Sequence, residues 1–289
     1  MAHTTVDAAA CTIRSGRMTW VSAGAWAPSR SLFFAALVGI GFANGISEKV
    51  HQSIRERGLL DAAFNTFDIS LIIWGSCFAA LVTFARAPSD AFRRGDILVG
   101  GLAGLSFLAP VPALSWLGLC LIALYVHATA SGGDMRRTAI IVFALTLPLF
   151  WARLLFVAFS DTVLGVDAYL VGWLVGTTPQ GNVVPLADGA GSMFIAPGCS
   201  SVANLSLAVL SATVFLNLRG GRWSPATLAW AASSAIAVVV INVVRIGLIG
   251  LYPAQYDLIH GPIGASITNW LVLAVVFWIG YHKIGRDAA

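Results

Sequence analysis

The chain has 289 residues, of which 58% are hydrophobic and only 10% are charged, and its formal net charge is +4. In soluble domains about a quarter of the residues are charged. The composition therefore argues against a water-soluble protein and predicts a chain that is largely surrounded by lipid. The basic residues form no stripe with interleaved aromatic side chains, which argues against a nucleic-acid partner.

The four cysteines are widely separated in the chain: Cys11, Cys77, Cys120 and Cys199. None belongs to a CxxC pair, so the sequence predicts neither a disulfide framework nor a metal site, and no cofactor is expected. Cys77 and Cys120 lie inside apolar runs, where a cysteine usually acts as a small buried hydrophobic residue. Cys199 differs from them because it lies just before an apolar run.

Eight apolar segments predict an all-α fold, a polytopic transmembrane helix bundle. In residue numbers, the predicted spans are 32–46, 67–85, 97–109, 113–128, 138–159, 202–218, 226–251 and 263–281. Residues 1–30 are polar and are expected to form a cytoplasmic tail, and residues 31–289 a single transmembrane domain. Residues 47–65 carry charges of both signs and are expected to form a polar loop.

Residues 160–198 differ in amino-acid composition from the rest of the chain. They are expected to form an extracytoplasmic segment, either a small cap or a re-entrant piece. The apolar piece 163–175 is too short to span a membrane, which favours an interfacial or re-entrant helix. Residues 177–196 are rich in Gly, Pro, Asp and Asn. That composition is typical of a small hairpin or a loop cap.

Lysine and arginine residues orient membrane helices, because cytoplasmic loops carry an excess of them. They are concentrated in residues 1–30, 86–94, 134–137 and 219–222 and after residue 281. This alternation predicts a multi-pass protein of the plasma (inner) membrane with both termini in the cytoplasm. The loop 47–65 disagrees, because it would lie outside although it contains Lys49, Arg55 and Arg57.

Three polar residues fall at the predicted outer ends of the last three spans: Cys199, Arg245 and His260. Arg245 lies about six residues before the outer end of its span, which corresponds to about 9 Å along an α-helix. Each residue also has an ordinary explanation of its own. Cys199 could be a small apolar side chain, Arg245 an arginine that extends to the interface, and His260 a loop histidine. An arginine inside a span nevertheless costs roughly 2.5–3.5 kcal/mol on insertion scales and usually has a function or a partner. The common depth of the three residues predicts one extracytoplasmic active site, for which residues 199–281 supply the catalytic helices.

A thiol, an imidazole and a guanidinium together suit acyl transfer through a covalent intermediate. Cationic neighbours favour the thiolate form of a cysteine, and a neutral histidine can accept the thiol proton and return one to the leaving amine. An arginine stays charged at any working pH and can stabilise an oxyanion. Cys199 would thus be the nucleophile, His260 the base and Arg245 the electrostatic group.

Four further residues have candidate roles. Asn242 lies three residues before Arg245 on the same helical face and could orient its guanidinium. Ser200 and Ser201 are rival nucleophiles without a recognisable base of their own, and Ser200 is also a candidate N-cap of the following helix. Arg153, inside the fifth span, either binds a carboxylate of the substrate or extends to the interface.

These positions resemble the exosortase/archaeosortase family of multi-span membrane cysteine transpeptidases. The resemblance rests on Cys199-Ser200 at the start of a span, Asn242-Val-Val-Arg245-Ile246 late in the next span, and His260 with Gly264 at the start of the last. It covers roughly residues 189–281. In the family the cysteine is the nucleophile, the arginine supports it, and the third position is histidine or arginine. The resemblance implies these roles for Cys199, Arg245 and His260, although Ser201 replaces a glycine that is usual in the family.

The resemblance also implies a substrate class. Family members cleave exported proteins near a C-terminal sorting signal, which consists of a short motif such as Pro-Glu-Pro, an apolar helix and a basic cluster. The implied partner is the peptide or helix of such a signal, within the lipids of the membrane. The implied reaction passes the acyl group to an acceptor, which is an amine, a hydroxyl or a lipid.

Two other functions stay open at this point. A multi-span transporter could bind an anionic solute with Arg153 and Arg245, although the sequence has no inverted repeat or pair of broken helices. An intramembrane serine protease could use Ser200 or Ser201 with His260, although the chain has no GxSxG motif.

Overall fold

The computed structural model describes residues 29–88 and 90–283. The α-helices of this part of the chain are α1 (Arg30–Arg57), α2 (Leu59–Phe64), α3 (Leu71–Arg86), α4 (Arg94–Leu108), α5 (Pro112–Thr129), α6 (Gly133–Leu145), α7 (Ala152–Val175), α8 (Ser201–Leu218), α9 (Pro225–Leu251), α10 (Tyr256–His260) and α11 (Pro262–Lys283). A π turn (Leu147–Trp151) joins α6 to α7, and two strands, β1 (Val183–Pro185) and β2 (Ser192–Phe194), lie between α7 and α8. The predicted cytoplasmic tail lies outside the described residues except for its last two.

Six helical stretches are long and apolar enough to cross a membrane: Arg30–Arg57, Pro112–Thr129, Gly133–Val175, Pro197–Leu218, Pro225–Leu251 and Ile263–Tyr281. The described chain is therefore an all-α, multi-pass bundle, as predicted. The second predicted span is an α-helix from Leu71 onwards, and the third is an α-helix as far as Leu108. However, α3 and α4 have only 16 and 15 residues, which is fewer than the roughly 20 that a straight crossing needs.

The expected polar loop over 47–65 is wrong, because α1 continues to Arg57 and α2 covers Leu59–Phe64. No Gly or Pro interrupts this sequence before Gly58, and its Glu, Lys, Gln and Arg residues favour a helix. A hydrogen bond from Gln52 to Glu56 (2.8 Å) joins successive turns. The helix ends at Gly58, whose φ of 80° suits glycine. The charged residues therefore continue helix α1 up to Arg57 instead of forming a loop.

Residues 163–175 form the part of α7 that follows a kink at Phe159. Together α6, the π turn and α7 form a 43-residue helical stretch. It is about 64 Å long at the helical rise, roughly twice the hydrocarbon thickness of a bilayer. Pro148 in the π turn lacks an N–H, and Phe159, with φ of −131°, marks a kink at the predicted end of the fifth span. The helix then continues to Val175.

The predicted hairpin is present: β1 and β2 pair antiparallel, with Val183 opposite Phe194. The Ala187 N–H donates to the Gly250 carbonyl (3.1 Å), which ties the hairpin to the end of α9. Gly250 also permits a close approach, because a Cβ there would lie 2.7 Å from Val175 Cγ2. The hairpin and the end of α7 therefore pack at one end of α9.

The helices form two groups that meet at α8. The larger core lies among α1, α3, α4, α5 and α6 and includes Phe34, Leu119 and Ile141. Helix α8 contacts α3 and α6 of this group, and it also contacts α9 and α11. At the start of α1, Arg30 forms a fully buried ion pair with Asp96 of α4 (3.0 Å). This pair fixes the end of α1 that is opposite to the candidate active site.

Candidate active site

Cys199 ends a 3₁₀ turn just before α8, so its thiol lies at the entrance to a helix. Ser200 is the N-cap of α8, and its Oγ accepts a hydrogen bond from the Val202 N–H (3.2 Å), as the sequence predicts. Cys199 is half-buried against an apolar cluster that includes Ile195 and Ile246. The thiol thus lies on a fixed turn and is still partly accessible.

Asn242 holds the Cys199 segment against α9. Its Nδ2 donates to the Cys199 carbonyl (2.8 Å) and to Ser201 Oγ (3.1 Å), and its Oδ1 accepts from Asn204 (3.3 Å). The residue is only 3% exposed. None of these hydrogen bonds joins Asn242 to the Arg245 guanidinium, which the helical spacing suggested it could orient. The amide bonds to the segment of the candidate nucleophile instead, because this face of α9 packs on the start of α8.

A carboxylate that the sequence analysis did not single out also contacts this segment. Asp167 of α7 accepts a hydrogen bond from the Ser201 backbone N–H (3.0 Å) and is 3% exposed. This N–H is one of the donors that a helix N-terminus leaves unpaired, and a negative charge is favourable there. Asp167 and Asn242 thus hold the residues around Cys199 from two helices. The only signal in the sequence is a single acidic residue within an apolar run.

Arg245 connects α9 to the turn that leads into α11. Its Nε donates to the Ile259 carbonyl (3.3 Å) and its Nη2 to the His260 carbonyl (3.2 Å). Among the described residues, no carboxylate lies within 4.0 Å of the guanidinium, and Nη1 has no hydrogen-bond partner. One terminal nitrogen is therefore available to a further group.

His260 contacts Arg245 through its backbone, whereas its imidazole stacks on Tyr256. The ring centroids are 4.9 Å apart and the rings are inclined by 9°. The side chain is exposed. Within the part of the chain that the structure describes, no hydrogen bond joins the side chains of Cys199, Arg245 and His260. The structure brings their segments together, but it does not form the direct thiol–imidazole contact.

One turn of α9 links the two segments. Asn242 and Arg245 are three residues apart and lie on one side of the helix. The first bonds to the carbonyl of Cys199, and the second bonds to the carbonyl of His260. The three predicted positions therefore share a common support.

A cavity of about 510 Å³ borders the Cys199 segment. Its walls come from Gly198, from Ala203 of α8, from residues 64–71 between α2 and α3, and from α11. The lining of α11 includes polar and aromatic side chains: Ser266, Asn269 and Trp270. Gly198 directly precedes Cys199, so the cavity borders the candidate nucleophile's segment, although Cys199, Arg245 and His260 are not part of its described lining.

The wall between α2 and α3 contains an unusual backbone turn. Thr66, Phe67 and Asp68 have φ of 54°, 55° and 55°, a left-handed region that costs about 1–2 kcal/mol for each residue other than glycine. Side chains hold the turn, because Asp68 accepts from Ser53 Oγ (2.7 Å) and pairs with Arg57 (3.2 Å). Such strain persists only where its surroundings enforce it, and it is frequent at binding sites.

Arg153 lies apart from this site. It lines a second cavity, of about 270 Å³, together with Lys49 and Trp116. Neither Cys199 nor Arg245 belongs to that lining. The structure therefore does not bring the two intramembrane arginines of the transporter hypothesis to one cavity.

In residues 29–88 and 90–283, no group of three or more His, Cys, Asp or Glu side chains could hold a metal ion.

Comparison of the chain with protein-family models, with curated proteins and with solved structures gives no match.

Proposed function

We propose that the chain is a membrane-embedded cysteine peptidase and transpeptidase that acts on the C-terminal sorting signals of exported proteins. Cys199 is the nucleophile, His260 is the general base and acid, and Arg245 stabilises negative charge. In this proposal eight helices span the plasma (inner) membrane and both termini are cytoplasmic. The Cys199 end of the bundle faces the extracytoplasmic side, an orientation that the distribution of basic residues supports.

The observation that carries the proposal is the shared support on α9. Asn242 bonds to the backbone of Cys199, and Arg245, one turn later, bonds to the backbone of His260. An inert cysteine and an ordinary loop histidine would need no common support. Catalytic groups do need one, because a displacement of about 1 Å can cost a factor of about 100 in rate.

The first half of the reaction ends at a thioester. Cys199 Sγ gives its proton to the His260 imidazole and attacks the scissile carbonyl carbon, so that a C–S bond and an oxyanion form. Nη1 of Arg245 can donate to this oxyanion. The C–N bond then breaks and the imidazolium protonates the leaving amine. The imidazole must first rotate away from Tyr256, which its exposed position permits.

In the second half an acceptor attacks the thioester. Neutral His260 takes the proton of an amine or hydroxyl acceptor, the C–S bond breaks, and Cys199 returns to the thiol form. Water in place of the acceptor would give hydrolysis. The resemblance in sequence supports transfer.

The cavity beside Gly198 supports entry of a peptide next to the thiol. On the same side, α11 carries the exposed apolar side chains Ile263, Ile267 and Trp270. An apolar substrate helix could therefore lie along α11 while its polar flank enters the cavity. This arrangement fits a substrate that joins an apolar helix to a cleavable motif.

Co-expression with a tagged candidate substrate tests the proposal. The substrate is a protein of the same genome that ends in a short motif, an apolar helix and a basic cluster. Cys199→Ala should abolish the shortened product. Cys77→Ala is the control, because Cys77 is far from Cys199 in the sequence. Cys77 and Cys120 are both buried, as predicted. Processing by Cys199→Ala at the rate of the parent protein would refute the proposal.

A labelling experiment gives an independent measurement. In a Cys11→Ser background, a membrane-impermeant maleimide added from outside should label Cys199, which is half-buried, before the two buried cysteines. Labelling only after the membrane is opened would contradict the proposed orientation.

A further inference from the structure

The second cavity lies among the charged half of α1, the start of α5 and the start of α7. Its walls are largely apolar and include Trp116 and Phe150. Lys49 and Arg153 both line it, and Glu48 is the one acidic residue in the described lining. The lining therefore carries a net positive charge.

Both cations lie at the depth of lipid head groups. At the rise of an α-helix, Lys49 lies about 28 Å along α1 from Arg30. By the same measure, Arg153 lies about 30 Å from Gly133, at the start of α6. The hydrocarbon core of a bilayer is about 30 Å thick. With the starts of α1 and α6 at one interface, Lys49 and Arg153 reach the other, which is also the side of the candidate active site.

Neither cation forms a close ion pair with a carboxylate in the described part of the chain. Lys49, Arg153 and Glu48 make no ion pair within 4.0 Å, and Asp68 is already paired with Arg57 (3.2 Å). Like charges that share a largely apolar cavity repel each other more strongly than in water. An anionic group between them would relieve this repulsion.

We propose that this cavity binds an anionic amphiphile, with its phosphate group between Lys49 and Arg153 and its chain against Leu154 and Val157. These two apolar residues line the cavity and are 52% and 78% exposed, so they continue its wall towards the surrounding lipid. The planar fork of an arginine matches phosphate, and lysine adds a compact charge. A free phosphate ion would gain nothing from the apolar walls, whereas an amphiphile would. The site is independent of the reaction proposed for Cys199.

Basic residues near an interface also contact head groups without forming a site, because their long side chains extend into the head-group layer. Arg55 provides a matched control for this effect. It lies on α1, is basic and exposed, and does not line the cavity. A specific site therefore requires a loss of binding at Lys49 and Arg153 that does not occur at Arg55.

Native mass spectrometry of the full chain in detergent, with added phosphatidylglycerol or phosphatidylcholine, tests the proposal. We expect a phosphatidylglycerol adduct whose affinity falls about tenfold in Arg153→Gln and in Lys49→Gln, since hydrogen bonds between charged groups contribute free energy of that order. Arg55→Gln should bind as the parent does. Arg153→Lys keeps the charge and should retain most of the binding, which separates loss of charge from misfolding.

Three results would overturn the proposal. The first is equal affinity of the parent and both Gln variants for phosphatidylglycerol. The second is equal binding of zwitterionic phosphatidylcholine, which would remove the preference for a net negative ligand. The third is displacement of the lipid by inorganic phosphate in the millimolar range, which would identify a small-anion site.

Discussion

The Asn242 side-chain nitrogen lies 2.8 Å from the Cys199 carbonyl oxygen and fixes the segment of the candidate nucleophile to α9. One turn later, Arg245 holds the His260 carbonyl in the same way. The two anchors are separate hydrogen bonds on one rigid helix. Variants of α9 should therefore disturb the nucleophile and the base independently.

Replacing Asn242 with Leu should leave the Cys199 carbonyl and Ser201 Oγ without their donor. We expect the free energy of unfolding to fall by about 1–3 kcal/mol. Processing of a candidate substrate should fall by about tenfold or more, because the nucleophile is no longer held in place. Processing is measured by immunoblot of the shortened product.

Asn44→Leu is the matched control for that variant. Asn44 of α1 donates to Ser115 Oγ of α5 (2.7 Å), away from the candidate site. Its loss should cost similar stability and leave processing unchanged. Equal loss of processing in the two variants would show that stability alone explains the effect of Asn242.

Arg245→Lys should also impair processing, by about tenfold or more, because an ammonium group cannot reproduce the planar fork that bonds to two carbonyls. Residues 252–262 should become more sensitive to added protease, since they lose an anchor. Arg136→Lys is the control: Arg136 Nε donates to the Ala130 carbonyl (3.0 Å) between α5 and α6. Parent-like processing by Arg245→Lys would instead indicate an arginine that only extends to the interface.

The helices and the position of Cys199 could be predicted because both depend on local signals. Apolar runs predict membrane helices whatever their neighbours are, and most residues of each predicted span are helical in the described chain. The Pro197-Gly198 pair before an apolar run likewise predicts a helix start at Cys199. The charged residues after Ile46 continue α1 because polar side chains favour an aqueous environment without ending a helix.

The contacts within the site could not be predicted, because they depend on how each helix is rotated against its neighbours. Spacing places Asn242 and Arg245 on one face of α9. It does not reveal that α8 covers one part of this face and α10 another. Asp167 gave no usable signal, because a lone carboxylate in an apolar run is equally consistent with an interfacial position. Only the folded chain brings it to Ser201.

Ser200→Ala separates the cysteine mechanism from a serine mechanism. The variant removes the N-cap of α8 and should lower the free energy of unfolding by about 0.5–2 kcal/mol. Ser200 is 3% exposed and its Oγ bonds to the Val202 N–H, so processing should be unchanged.

Ser224→Ala is its matched control, because Ser224 Oγ caps α9 through the Thr227 N–H (3.2 Å). Thermal unfolding should show similar losses for the two cap variants. Abolished processing in Ser200→Ala, together with activity in Cys199→Ala, would establish Ser200 as the nucleophile.

Two substitutions at Asp167 separate its hydrogen bond from its charge. Asp167→Leu leaves the Ser201 N–H without an acceptor and should lower the free energy of unfolding by about 1–3 kcal/mol. Maleimide labelling of Cys199 should change in rate as its segment loosens. Asp167→Asn keeps an acceptor oxygen and should stay closer to the parent in both measurements.

Asp161→Asn on the same helix is the control for loss of charge, because Asp161 is exposed. It should match the parent in stability and labelling. If Asp167→Asn is as damaging as Asp167→Leu while Asp161→Asn is not, the negative charge at the start of α8 is the important property. If both Asp167 variants match the parent, the 3.0 Å contact does not hold the Cys199 segment, and Asn242 alone remains as its anchor.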